Sequence, residues 1–170
     1  MNNEIKIPEG IEKIDRDQFA TYLDVTPKEQ TMSFALLGIG VTDYGIDYNP
    51  QVDSEKWVCE KNARSDHSSN QKQGSVSQTT YKGDPCFEFV EAGRDKLNYI
   101  THILDIDRWK GKDGIYPADL SDGKVVITKY MGEKGVIEYD LYYEGDKTPG
   151  TVTFANGKPT FTPSANLETE

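Results

Sequence analysis

The sequence predicts a mainly β domain, a β-sandwich or barrel, with one flanking α-helix. Apolar and polar residues alternate through most of the chain, and glycine turns interrupt the alternation, as is typical of strands with one buried face. Only the segment that begins at Asp84-Pro85 has helical spacing instead. A length of 170 residues fits one domain with a substantial core.

Strands are predicted wherever the alternation persists between turn residues. In the first, every second residue from Phe19 to Val25 shares one face. Gly132 to Gly135 is predicted to be a compact hairpin turn. Asn156-Gly157, the dipeptide favoured in type I′ turns, leads to a last short strand that ends at Phe161. The other predicted strands are, in chain order, 32–39, 45–48, 56–59, 75–81, 99–109, 124–131, 136–143 and 151–154.

One helix is predicted over residues 85–96. Asp84 supplies a capping carboxylate, and Pro85 occupies the first helical position, where a proline is well tolerated. Arg94 and Lys96 fall in the expected last turn, where positive charge suits the helix dipole. Because the helix is amphipathic, we expect it to lie against an edge or face of the sheets. The residues with helical spacing are Cys86, Phe89, Val90, Gly93 and Leu97.

Three segments fall outside this pattern of strands. Residues 1–16 are charged and aperiodic, and we expect an extended N-terminal arm. Residues 62–74 are rich in Ser, Asn and Gln and are predicted to be a long inter-strand loop, while residues 163–170 are expected to be a flexible C-terminal tail. The β domain is therefore placed at residues 17–162.

The composition argues against several classes of protein. A net charge of −10 disfavours a protein that grips the nucleic-acid backbone, since such binding depends on Lys and Arg. No stretch approaches the roughly 20 apolar residues of a membrane span, and the N-terminus lacks the apolar core of a signal peptide, so we expect a protein made in a cytoplasm. Cys59 and Cys86 lack the spacing of a zinc site or disulfide framework and are expected to be buried or half-buried thiols.

No pattern of residues predicts a catalytic, cofactor or metal site. His67 lies in a polar segment and is expected to be solvated, whereas His102 alternates with apolar neighbours and is expected to be a packed or interface residue. Asp105 and Asp107 point the same way from one strand, as acid–base or cation sites require, but Trp109 stands at the next calcium-loop position. We therefore expect these carboxylates on a polar strand face that meets water or a channel.

Five short segments, in order along residues 17–162, carry a resemblance to one protein family. The strongest runs from Tyr81 to Val90 and combines a strand end, a Lys-Gly-Asp-Pro turn and a helix start. The others are Ile46-Asp47-Tyr48-Asn49-Pro50-Gln51 with Lys56-Trp57, Ile103-Leu104-Asp105-Ile106-Asp107-Arg108-Trp109, Tyr116-Pro117-Ala118 and Gly150-Thr151-Val152-Thr153-Phe154. Together they resemble the major tail tube proteins of long-tailed, non-contractile bacteriophages.

The resemblance implies a structural subunit without catalysis, cofactor or metal. It implies a β-sandwich or barrel of the tail tube type, whose copies close into hexameric rings that stack into a hollow tube for DNA. The implied partners are other copies of the chain, the tail terminator, tape measure and baseplate or initiator proteins, and viral DNA that passes without specific binding. The implied location is the virion tail, after synthesis in the bacterial cytoplasm and without membrane contact.

The resemblance also suggests which surfaces serve assembly. The N-terminal arm and the segment 43–61 are candidates for reaching a neighbouring subunit or ring. The candidate interface residues are Ile46, Tyr48, Trp57, Asp84 and Phe89. The candidate lumen-facing carboxylates, which would repel DNA, are Asp105, Asp107, Glu138 and Asp140.

Three alternative functions remain open on the sequence. The first is a related ring former, the tube protein of a contractile tail or of a type VI secretion system. The second is a monomeric β-sandwich that binds carbohydrate or a receptor, with Trp57 and Trp109 as stacking platforms. The third, an enzyme, would need His102 to act with Asp105, yet residues three apart in a strand point to opposite faces.

Overall fold

The computed structural model describes residues 8–164, whose strands form a curled antiparallel sheet, a half-barrel, against one α-helix. The mainly β prediction is confirmed. The helix, α1, spans Pro85–Ala92. The strands are β1 Phe19–Asp24, β2 Phe34–Leu36, β3 Val41–Asp47, β4 Pro50–Glu55, β5 Arg64–Asn70, β6 Gln73–Thr79, β7 Tyr99–Asp107, β8 Tyr116–Lys129, β9 Val136–Ala155 and β10 Lys158–Pro163.

The main sheet has the strand order β2-β1-β7-β8-β9-β6-β3, with β10 also paired to β9. The long strand β9 has β8 along one edge. Its other edge is shared, because β6 pairs with residues 136–142 and β10 pairs with residues 150–155. Between these two regions Gly145 has φ +66°, and the β8–β9 register shifts by two residues. This shift is a β-bulge, which bends β9 between its two partners.

Two apolar clusters lie on opposite faces of β7. Ile103 points into the larger cluster, whereas Leu104 and Ile106 point into the smaller one. The larger cluster contains side chains from β1 and β2 at one end of the sheet and from β6 and β3 at the other, as well as the buried face of α1. Because both ends of the sheet surround one core, the sheet is curled rather than flat.

The helix begins as predicted and ends earlier. Asp84 caps it, since a side-chain oxygen of Asp84 accepts the Cys86 N–H at 3.2 Å. The chain then turns at Gly93, where an added Cβ would lie 2.2 Å from the Tyr99 ring. The helix therefore stops at Ala92 rather than residue 96, and Arg94 and Lys96 lie beyond it.

The prediction of a loop over residues 62–74 is wrong, because β5 and the start of β6 occupy it. β5 pairs with β4, which was not predicted, and the predicted strand 56–59 lies in the connection between them. All residues of both strands are exposed, so neither shows the alternation that marks a buried face. The predicted strands at 136–143 and 151–154 are parts of the single strand β9.

Both predicted turns are present. Asn156 and Gly157 have φ of 51° and 75°, the two positive values that a type I′ turn needs. Gly132 to Gly135 closes the β8–β9 hairpin, with the Gly132 N–H donating to Val136 O at 2.9 Å. At the ends, residues 8–15 are exposed and lie in no strand or helix. The rest of the predicted arm, 1–7, and residues 165–170 of the predicted tail lie outside the described residues.

Candidate functional site

A free-standing hairpin is the most prominent surface feature. Within residues 8–164, β4 and β5 form a two-stranded sheet of their own and pair only with each other, from Pro50 opposite Asn70 to Glu55 opposite Arg64. Isolated two-stranded hairpins are marginally stable in water. A projecting hairpin of this kind therefore gains order when another surface covers it.

The connection between β4 and β5 exposes apolar side chains. Val58 is fully exposed and Trp57 is 51% exposed. The Arg64 guanidinium lies 4.4 Å from the centre of the Trp57 ring and forms an ion pair with Glu60. Cys59 is also exposed here, against the expectation of a buried or half-buried thiol. A held aromatic ring at the end of a polar hairpin is typical of a contact site.

The structure divides the candidate interface residues into two groups. Tyr48 and Trp57 are more than half exposed, and Ile46 is half-buried. Asp84 and Phe89 are buried, and the expectation that they lie at a subunit interface is wrong. Phe89 belongs to the core, where its ring stacks on Tyr99 at 4.9 Å.

Asp84 instead belongs to a buried polar network that joins α1 to the sheet. Gln78 Nε2 donates to Asp84 Oδ2 at 2.9 Å and to the Ile39 carbonyl at 2.8 Å, and Tyr139 OH donates to Gln78 Oε1 at 3.0 Å. Burial raises the pKa of Asp84, and burial together with the Asp84 charge raises the pKa of Cys86 to about 12. A thiol with so high a pKa is not a nucleophile, so this network holds structure together.

Asp105 does not face a lumen. It is buried in the core, where it accepts hydrogen bonds from Thr21 Oγ1 at 2.7 Å and from Tyr143 OH at 2.9 Å. Tyr143 OH lies 2.8 Å from Tyr44 OH, and since Tyr143 donates to Asp105, Tyr44 must donate to Tyr143. Burial raises the pKa of Asp105 to about 6, although these hydrogen bonds and the charge of Lys72 oppose the shift.

The other candidate lumen residues are more accessible. Glu138 is exposed, and Asp140 is half-buried and accepts from Ser75 Oγ at 3.0 Å. With Asp43 they line a shallow cleft of about 270 Å³. Asp107 is half-buried on β7, with Lys110 Nζ 3.7 Å away. Glu138, Asp140 and Asp43 form one acidic surface, and the structure does not bring Asp107 into it.

His102 is packed between carboxylates. Its Nδ1 lies 2.7 Å from Asp24 Oδ2, and its Nε2 lies 3.5 Å from Asp122 Oδ1 on β8. Asp24 is fully buried, and its Oδ1 accepts the N–H groups of Thr26 and Ser33 at 3.0 and 3.1 Å. These bonds hold the β1–β2 connection in place. Asp24 was missed in the sequence, although an Asp that bonds a backbone N–H two residues on is a common turn feature.

A second missed feature is the cleft at the base of the hairpin, about 440 Å³ in volume. Lys72 Nζ lies 4.7 Å from the centre of the Tyr143 ring and 5.3 Å from that of Tyr48. Hydroxyl and amide groups line much of the remainder, and Lys147 lies there bonded to Asp119 at 2.9 Å. No sequence signal marked Lys72, because it stands alone in a polar run.

The described part of the chain offers no metal or membrane site. No three His, Cys, Asp or Glu side chains in residues 8–164 lie close enough together to hold a metal ion. The same residues include no helix with the length and apolarity that a membrane crossing would need. Comparison with known protein families and with curated proteins found no match.

Proposed function

We propose that this chain is the structural subunit of a bacteriophage tail tube, assembling as hexameric rings that stack into a hollow, DNA-conducting tube. The observation that carries the proposal is a curled sheet with open edges from which a free-standing hairpin projects. Such a subunit has two separate means of contact, one within a ring and one between rings. The number of subunits per ring comes from the family resemblance.

The open edges of the main sheet support contact within a ring. β2 and β3 stand at the two ends of the strand order, so each leaves one edge without a partner among the described residues. Open edges tend to pair with other strands unless they are covered. A head-to-tail contact between different edges of neighbouring copies closes into a ring when the rotation fits.

The hairpin supports contact between rings. β4 has six residues, so the hairpin extends about 20 Å at the usual strand rise. Its polar sides suit a wet interface, and Trp57 and Val58 supply an apolar anchor at its end. A contact of this reach joins a subunit to a copy beyond its immediate ring neighbours.

The acidic surface supports passage of DNA without binding. Glu138, Asp140 and Asp43 lie together in a chain of net charge −10, and phosphates are repelled by such a surface. If this surface lines the lumen, replacing Glu138 and Asp140 by their amides leaves tubes intact and slows ejection. Normal ejection by phage with intact doubly substituted tubes would remove the lumen assignment.

The test of the proposal is negative-stain electron microscopy of the purified protein at several concentrations, with light scattering for mass. We expect rings or tubes with a central channel. Trp57→Ser with Val58→Ser is expected to leave rings and remove tubes. Leu97→Ser is the matched control, because Leu97 is equally apolar and highly exposed but lies after α1, outside the hairpin. A protein that remains monomeric in the presence of a tail initiator complex would contradict the proposal.

Two other functions are separated from this one by simple measurements. Co-purification with a sheath protein would assign the tube to a contractile tail or a type VI secretion system. A monomeric binding module is favoured by the exposed rings of Trp57, Trp109 and Tyr48, which are available for stacking. Specific binding to a glycan array by a protein that stays monomeric would support that function instead.

A further inference from the structure

One stretch of β9 has an unpaired edge between two partner strands. β6 begins at Gln73, opposite Tyr142, and Lys72 O accepts the Tyr143 N–H at 3.1 Å. β10 ends at Pro163, opposite Gly150. Residues 144–149 lie between these two pairings. Since β8 lies along the opposite edge of β9, this gap is the place where a further strand segment fits.

The chain that leaves β10 is already directed into this gap. Ser164 N donates to Pro149 O at 3.0 Å, which continues the β10 ladder by one residue beyond its last pair. The gap has six positions, 144–149, and continuation of the antiparallel register fills them with residues 164–169. Residue 170 then falls opposite Tyr143, beside Lys72. The length of chain beyond the described residues therefore matches the length of the gap.

The charges of the two partners are complementary. The residues after Ser164 read Ala-Asn-Leu-Glu-Thr-Glu, and in the continued register Glu168 and Glu170 share one face because they are two residues apart. Residues directly opposite in an antiparallel pair also share a face, so this is the face of Tyr143, on which Lys72 lies. Among residues 8–164, no carboxylate lies within 4.0 Å of Lys72 Nζ.

We propose that residues 165–170 of the same chain extend β10 along the open edge of β9 and place Glu168 and Glu170 against Lys72. The segment covers the cleft at the base of the hairpin, where it contacts the exposed Tyr48 ring. Because Tyr48 directly precedes the hairpin, docking of the segment also restrains the direction in which β4 and β5 project. This inference does not depend on the proposed function.

Amide hydrogen exchange of the full chain tests the proposal. We expect slow exchange at residues 144–148 and 165–169, at a rate that does not change with protein concentration. Lys72→Gln and the pair Glu168→Gln with Glu170→Gln are each expected to speed exchange at these amides by roughly twofold to fivefold, the range for an exposed ion pair. Lys28→Gln and Glu29→Gln are matched controls, because both residues are exposed and lie in the β1–β2 connection.

A coupling test identifies the interaction itself. Lys72→Gln combined with the two Glu→Gln substitutions is expected to accelerate exchange no more than either set alone, because both remove the same ion pair. Charge exchange, Lys72→Glu with Glu168→Lys and Glu170→Lys, is expected to restore slow exchange. Rapid exchange at residues 144–148 of the full chain overturns the proposal. Protection that increases with concentration also overturns it, because the strand would then come from a second copy.

Discussion

Removal of the buried charge at Asp105 is expected to stabilise the protein above pH 6. Burial raises the pKa of Asp105 from 3.8 to about 6, so the folded chain holds the proton more tightly than the unfolded chain. The stabilisation from the protonated form is complete below pH 3.8 and is lost as pH rises through about 6. The shift corresponds to roughly 3 kcal/mol of unfolding free energy.

Asp105→Asn keeps the shape of the side chain and removes its ionisation. Its oxygen still accepts from Thr21, but its amide has to donate to Tyr143, which reverses the Tyr44–Tyr143 hydrogen bond. We therefore expect a gain of about 1–3 kcal/mol at pH 7.5, below the full value of the shift. The gain is expected to decrease towards zero as pH falls below 4.

Urea denaturation at a series of pH values between 4 and 8 measures this difference. Asp107→Asn is the matched control, two residues away on β7 and half-buried beside Lys110, and it is expected to change stability by no more than about 0.5 kcal/mol. An Asp105→Asn variant that is less stable than the wild type at pH 7.5 would refute the reasoning. So would a gain that does not vary with pH.

Three further substitutions test the helix and the hairpin. Asp84→Ala removes the cap of α1 and a partner of Gln78, and it is expected to lower the free energy of unfolding by about 2–4 kcal/mol in urea denaturation. Gly93→Ala places a methyl group 2.2 Å from the Tyr99 ring and is expected to lower the melting temperature, whereas the exposed Asn98→Ala is not. Trp57→Ser is expected to leave the melting temperature within a few degrees of wild type while it weakens association in sedimentation velocity.

The sequence predicts best where a chain segment has one buried face. β1 and β7 were found from alternation, and α1 was found from Asp84-Pro85 together with helical spacing. β4 and β5 were missed because a hairpin with both faces in water has no apolar period to detect. The end of α1 was also missed, because it depends on the Tyr99 ring that packs on Gly93 from the next strand.

The candidate site shows the same limit more sharply. Alternation correctly assigns Asp105 and Asp107 to one side of β7, but it cannot tell which of them another strand covers. Tyr143 from β9 and Thr21 from β1 cover Asp105, while Asp107 near the strand end stays half-exposed. Lys72 gives no local signal at all, since its surroundings are supplied by Tyr48 and Tyr143.

The alternation along β9 separates the two roles assigned to its side chains. Tyr139 and Leu141 point into the core, whereas Glu138 and Asp140 point to the acidic surface. Substitutions on the outer face are therefore expected to change the surface charge without disturbing the buried hydrogen bonds of Tyr139. For this reason, amide substitutions at Glu138 and Asp140 can test DNA passage while the free energy of unfolding stays within about 0.5 kcal/mol of wild type. A larger loss of stability would mean that these carboxylates support the fold, and any change in ejection could then not be attributed to repulsion of DNA.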